Sequence, residues 1–230
     1  SRPFSAPASA DAHEAIRESL AAQAHGGEGE EDGWPIRRRG PAADSARRAA
    51  MAAGTAVHRV LEMLDLEGDA AAHLRSLMAQ LPAIVAAVAS PDIRDAAIGR
   101  ARALLDSLAA GPLLERLRAV GPHILSRETP LLLPPAGETG AVGFRAGTVD
   151  LLYCDPESKE IVVADYKTDT GLDRAALAAR AEAYAGQGQV YVEGVSQALG
   201  LAQEPRFELW FIDAGEIVTV PPAASSAGEG

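Results

Sequence analysis

Residues 148–168 read Thr148-Val149-Asp150-Leu151-Leu152-Tyr153-Cys154, then Asp155-Pro156-Glu157-Ser158-Lys159-Glu160, then Ile161-Val162-Val163-Ala164-Asp165-Tyr166-Lys167-Thr168. Two apolar, β-branched runs flank a Pro/Ser/Glu segment, which is the pattern of a β-hairpin. With a loop at 156–159, Asp155 pairs with Glu160, and counting back along the strands brings Asp150 opposite Asp165. Strand side chains alternate with period two, so Asp150, Asp165 and Lys167 are expected on one face. Opposite residues on a face lie ~4.5–5.5 Å apart at Cβ, so two carboxylates converge there with an ammonium one step along. A loop one residue longer or shorter sends one aspartate to the other face.

Both runs are apolar on both sides, which places them centrally in a sheet, where two like charges are costly unless compensated. Mg²⁺ or Mn²⁺ suits such hard oxygen ligands. Lys167 can then hold or polarise a water for in-line attack on a phosphodiester while the metal stabilises the developing charge. The plainer alternative is a structural Asp–Lys pair beside a lone aspartate.

Outward from the hairpin, Ile124 to Leu133 reads as a preceding strand, with the second strand taken from Phe144 to Cys154 and the third from Ile161 to Lys167. Asp173 to about Leu199 has a helical period, and Phe207–Ile212 with Ile217–Val220 forms a last hairpin around Asp213-Ala214-Gly215-Glu216. Before Pro122 the chain is helical. Met51, Val57, Leu61 and Leu64 recur at helical spacing from Ser45 to about Leu66, and a second helix runs from Leu74 to Val88 with a bend at Pro82. Ser90-Pro91-Asp92 predicts a third helix with Ser as N-cap, and Pro112 opens a fourth. This order predicts an α/β fold, a mixed central sheet flanked by helices behind a helical N-terminal half. No internal repeat is present.

Residues 1–44 are the least domain-like. Asp11 to Ala24 could form a short helix, but the Gly/Glu run from His25 to Gly33 reads as a flexible arm or linker, and residues 221–230 as a disordered tail. Arg37, Arg38, Arg39, Arg47 and Arg48 reverse the local charge, either as a solvated helix start or as a phosphate-facing patch.

Composition narrows the function classes. The 230 residues carry 21 Lys+Arg against 32 Asp+Glu, a formal charge of −11, which argues against a protein that simply coats nucleic acid. It leaves room for an enzyme handling DNA in one cleft. A single cysteine excludes a disulfide framework and a four-cysteine iron–sulfur cluster, and Cys154 reads as a small buried hydrophobe. No apolar run approaches the ~20 residues that span a bilayer, so a cytoplasmic protein with no membrane partner is expected. The chain starts at Ser1 and is read as a piece of something longer.

Gly147-Thr148-Val149-Asp150 followed by Asp165-Tyr166-Lys167-Thr168 resembles the active-site hairpin of the PD-(D/E)XK nucleases, in their RecB-like branch. Gly54-Thr55-Ala56-Val57-His58 resembles the helix motif supplying that branch's metal-binding histidine, and Glu128-Thr129-Pro130 the Glu-x-Pro of its first core strand. Tyr184, Gln187 and Tyr191 match its Tyr-x-x-Gln-x-x-x-Tyr helix. The resemblance covers roughly residues 45–220 and is closest to the C-terminal nuclease domain of AddA/RecB-type helicase–nucleases.

It implies a restriction-endonuclease-like αβββαβ core. Metal would be bound by His58, Asp150, Asp165 and the backbone of Tyr166, with Lys167 assisting and Glu128 lining the site. Each match has a blander counterpart: a core histidine at 58, a strand-edge charge at 128, and a packing stripe at 184, 187 and 191. Gly186 and Gly188 depart from the family by weakening the helix around Gln187.

The absence of a G-x-x-x-x-G-K-[ST] phosphate loop means that the implied helicase motor lies elsewhere in a parent chain or on an AddB/RecC-like partner. The expected function is a Mg²⁺- or Mn²⁺-dependent deoxyribonuclease, without an iron–sulfur cluster, cutting single DNA strands delivered by a helicase during double-strand-break repair. The rivals are a non-catalytic DNA-guiding or subunit-docking module and a stand-alone exonuclease.

Overall fold

A computed structural model describes residues 41–133 and 145–221. Helix α1 (Pro41–Met63) is followed by α2 (Ala70–Ala79), α3 (Leu81–Ala86), α4 (Arg94–Ala110) and α5 (Leu113–Val120), then a 3₁₀ turn (Gly121–His123). Strands β1 (Ile124–Leu133), β2 (Arg145–Cys154) and β3 (Ile161–Lys167) follow, then helix α6 (Arg174–Leu199) and strands β4 (Arg206–Phe211) and β5 (Glu216–Val220). The strands lie in the order β1-β2-β3-β4-β5, antiparallel except for the β3–β4 pair. A parallel neighbour demands a crossover, and α6 supplies it.

This is the expected α/β architecture. Strands β1 and β3 match their sequence-derived limits. Residues 1–40, 134–144 and 222–230 lie outside the described residues, and with them Phe144, Arg37–Arg39, the short helix expected at 11–24, and most of the expected arm and tail. The first helix starts at Pro41, four residues before the pattern suggested.

The sheet is covered on both sides. Leu151, Tyr153, Val162, Ala164, Tyr166, Trp210 and Ile212 pack with the N-terminal helices, while Val163, Phe207, Leu209 and Phe211 pack with Leu177, Tyr191 and Val195 of α6. Apolar side chains on alternate residues of β3 and β4 therefore serve opposite layers, which is why these strands read as continuous apolar runs.

Two helical expectations change. The segment expected as one bent helix splits at Gln80, and Pro82 occupies the first turn of α3, where its missing N–H would have had no partner in any case. Ser90 does not cap the next helix. Its hydroxyl bonds the Asp92 carboxylate at 2.6 Å, a turn intervenes, and α4 begins at Arg94. Helix α6 is bounded as its sequence suggests: the Asp173 carboxylate accepts from the N–H of Ala176 at 2.8 Å, and Gly200 ends the helix with φ +61°.

The hairpin register is the expected one. Leu151 pairs with Ala164 and Cys154 with Ile161, while the Asp155 N–H donates to the Glu160 carbonyl at 2.8 Å. At this turn Asp155 is buried and accepts from the N–H groups of Glu157 and Ser158 and from Arg116 (2.7 Å) and Arg206 (3.0 Å). Burial opposes its charge, but these four donors hold the Asp155 carboxyl well below the usual range. Next to it, buried Glu208 accepts from Tyr153 Oη (2.8 Å), Trp210 Nε1 (2.9 Å) and Arg206 Nε (3.1 Å). A charged, fully bonded network thus ties α5, the hairpin turn and β4 together.

Candidate active site

The ladder between β2 and β3 is recorded as far as Leu151–Ala164, and the next residues inward are Asp150 and Asp165. Here the strict alternation of β2 breaks. Leu151 and Tyr153 pack with the N-terminal helices, yet Val149, two residues earlier, joins the α6 layer. Asp150 sits at the break. Its Oδ2 accepts from the backbone N–H of Tyr166 at 2.7 Å, and its Oδ1 lies 3.1 Å from His58 Nδ1. The sequence places Asp150, Asp165 and Lys167 on one face. The structure keeps Asp165 and Lys167 on the α6 face of β3 but turns the Asp150 carboxylate between the strands, because the N–H of Tyr166 takes it as acceptor.

His58 comes from α1 on the other layer. Gly54, one turn earlier, allows that helix to approach the end of β3: a Cβ there would stand 3.0 Å from Thr168 Oγ1. The His58 ring meets Tyr166 edge to face, with centroids 5.8 Å apart. Glu128 enters from β1, flanked by the pairs Arg127–Leu151 and Thr129–Val149, which sets it across from Asp150. Its backbone has φ +45°, a conformation that costs a non-glycine residue about 1–2 kcal/mol. Glu128 Oε1 is 3.6 Å from His58 Nδ1. One donor atom from each of His58, Glu128 and Asp150 lies within 4.8 Å of the others. An imidazole nitrogen with two carboxylate oxygens fits a divalent metal ion by the chemistry of the donors.

Asp165 is outside that trio and faces Lys167, with Oδ2 2.5 Å from Nζ. Lys167 is buried and held from two further directions: Nζ donates to Gln187 Oε1 at 3.1 Å and stands 3.6 Å from the centroid of the Tyr184 ring. Gln187 Nε2 in turn donates to Tyr191 Oη at 2.8 Å. Of the three α6 residues singled out from sequence, Tyr184 and Gln187 thus meet one ammonium, and Tyr191 backs Gln187. Gly188, beside Gln187, faces Phe207: a Cβ would fall 2.2 Å from Cδ1 of that ring. The glycine that weakens the helix is the one that lets it seat on β4.

Burial and charge set the protonation tendencies. Burial pushes Asp150 up, but His58 and the Tyr166 N–H outweigh it and hold the carboxyl below its ordinary value. Asp165 is raised, by burial first and then by the Asp150 charge, which together exceed the attraction of Lys167. Lys167 is disfavoured by burial yet raised overall, chiefly by Asp165. Burial raises the Tyr166 hydroxyl far above its usual range. Cys154 is half-buried at the far end of β2, and its thiol faces the Lys159 carbonyl at 3.6 Å. Arg48 pairs with Asp92 at the surface, away from this site.

Glu128 is expected at the edge of the site from the family resemblance alone. The structure puts it nearer to His58 than the strand pattern could reveal, because a left-handed residue inside a strand escapes the period-two rule. Residues 34–227 match the family model of the PD-(D/E)XK nuclease superfamily. No curated protein matches the chain.

Proposed function

The chain belongs to the PD-(D/E)XK nuclease superfamily, and on that premise we propose that residues 45–220 form a Mg²⁺- or Mn²⁺-dependent deoxyribonuclease domain. The observation that carries this reading is the meeting of His58, Glu128 and Asp150 beside an Asp165–Lys167 pair at one end of the sheet. His58, Glu128 and Asp150 would hold the ion, with Asp165 and the Tyr166 carbonyl as the further ligands that the resemblance implies. When bound, the ion supplies Lewis-acid stabilisation of the charge that develops on the phosphoryl oxygens.

The remaining work falls to the protein. Lys167 presents its ammonium where an attacking water or a phosphate oxygen can accept a hydrogen bond, lowering the cost of negative charge there. Gln187 and the Tyr184 ring restrain that ammonium, and Tyr191 restrains Gln187, so the donor is oriented before substrate arrives. The N–H of Tyr166 fixes the Asp150 carboxylate.

The substrate we propose is single-stranded DNA delivered by a helicase motor in a parent chain or on an AddB/RecC-like subunit, in cytoplasmic double-strand-break repair. The net charge of −11 supports dependence on such delivery, since tethering substitutes for intrinsic affinity. Among the described residues no helix is long and apolar enough to cross a membrane.

The test is cleavage of labelled single-stranded DNA with Mg²⁺, Mn²⁺ or EDTA, beside Asp150→Ala and Lys167→Ala, with Mn²⁺ binding followed by calorimetry. Metal-dependent cutting lost in both variants supports the reading. Binding without cutting points to a nuclease that requires its motor. Neither binding nor cutting refutes the reading and favours a docking module.

A further inference from the structure

Helix α1 ends close to the site, one turn beyond His58, and has no basic residue in its last turn. Its final carbonyls would normally want a cation or hydrogen-bond donors. They receive them from another element. Arg127 of β1, half-buried, directs Nη1 at the carbonyl oxygens of Leu64 (2.7 Å), Glu62 (3.3 Å) and Leu61 (3.5 Å). The next residue is Glu128, whose backbone has φ +45° and whose carboxylate lies 3.6 Å from His58 Nδ1. Arginine thus joins the end of the helix that bears His58 to the residue adjoining the acidic partner of that histidine.

We propose that Arg127 is a positioning residue of the metal site: by clamping the C-terminal turn of α1 to β1, it sets the spacing between His58 and Glu128 and holds Glu128 in its left-handed conformation. The charge and the donors act together. The guanidinium offsets the negative end of the helix dipole, and its direction fixes β1 along and around the helix axis. Without it, the helix end and residues 127–129 can relax separately, and Glu128 gains access to ordinary strand geometry, which would turn its carboxylate away. Arg127 touches neither the proposed ion nor the DNA, and its effect passes through His58 and Glu128. The proposal rests on the metal-site reading for its function, but the clamp itself can be measured without metal.

The experiment compares wild type, Arg127→Met, Arg127→Lys and, as a destabilised control at the far end of the hairpin, Asp155→Asn. All are studied as the 230-residue chain at a temperature where each is folded by circular dichroism. Hydrogen exchange of the metal-free proteins, read by mass spectrometry, should show residues 60–64 and 126–130 exchanging roughly tenfold faster in Arg127→Met and not in Asp155→Asn. Calorimetry with Mn²⁺ should show affinity falling about 10–100-fold in Arg127→Met, the range typical of residues that orient metal ligands. Arg127→Lys, which keeps the charge but loses the fork, should recover part of the loss, and Asp155→Asn should bind as wild type.

Equal exchange in wild type and Arg127→Met overturns the clamp. So does Mn²⁺ affinity in Arg127→Met that equals wild type, or that falls no further than in Asp155→Asn. If wild type binds no Mn²⁺, the metal reading fails, and the exchange data alone judge Arg127.

Discussion

Replacing either of two glycines in one helix by alanine should change stability in opposite directions. Gly186 and Gly188 both lie within α6, and each substitution should gain about 1 kcal/mol from helix propensity alone. At Gly186 the added methyl meets nothing within 4 Å, so the full gain is expected. At Gly188 it would fall 2.2 and 2.4 Å from two carbons of Phe207, where carbon–carbon contacts rest at about 3.5–4.0 Å. Phe207 is buried in β4, pairs with Val163 and Val220, and stands edge to face with Tyr191, with a cavity of about 230 Å³ lined by Gly188 and Val192 beside it.

The helix must therefore shift on the sheet or the Phe207 ring must give, and overpacking of this kind costs about 1–3 kcal/mol. Set against the propensity gain, that cost leaves Gly188→Ala up to about 2 kcal/mol less stable than wild type, while Gly186→Ala should be about 1 kcal/mol more stable. Urea titration followed by far-ultraviolet circular dichroism measures both midpoints. The displaced segment also carries Gln187 and Tyr191, so Gly188→Ala should lower nuclease turnover even where it is fully folded, and Gly186→Ala should not. A Gly188→Ala midpoint at or above that of Gly186→Ala would refute the packing account of this helix.

Two further expectations concern Lys167 and the hairpin turn. Gln187→Ala removes the acceptor of the Lys167 ammonium and the donor to Tyr191, so kcat should drop about 100-fold, the scale of a small misplacement of a catalytic group. Mn²⁺ affinity by calorimetry should change little, and a loss of metal binding equal to the loss of turnover would contradict that division of roles. Asp155→Asn should cost about 2–3 kcal/mol at neutral pH, below the upper range for buried pairs because Arg116 and Arg206 keep 28% and 25% of their side chains exposed. Since the folded carboxyl is held below its ordinary value, its contribution is complete above the unfolded value near ~3.9 and is lost as pH falls toward the folded one. The stability gap between wild type and Asp155→Asn should therefore narrow below about pH 4, and a gap that widened there would reverse the sign.

Much of the fold was legible because its signals are local. Turn chemistry at 155–160 and β-branched runs on each side were enough to set the hairpin register, and Asp173 and Gly200 mark the limits of α6 by capping rules that involve only near neighbours. The apolar periods likewise delimited β1 and β3. Ser90 misled because a short polar side chain before a proline serves a turn as well as a cap, and the choice fell to Asp92. Tyr184, Gln187 and Tyr191 could be placed on one helix face from spacing, but a packing stripe and a site-supporting stripe share that spacing.

What the amino-acid order determined by itself is the sequence of elements, the pairing of the hairpin and the presence of Asp165 and Lys167 on one face, since each depends on residues adjacent in the chain or across one tight turn. Tertiary structure alone decided that Asp150 turns between the strands to the N–H of Tyr166, and that Glu128 reaches His58 through a left-handed backbone. It also decided that Arg127 ends a helix more than 60 residues earlier in the chain, 63 residues from Leu64, and that Gly188 is the seat of Phe207. These depend on groups far apart in the chain, brought together by the packing of two helical layers on one sheet. Contacts of that kind leave no period and no fixed spacing in a single sequence.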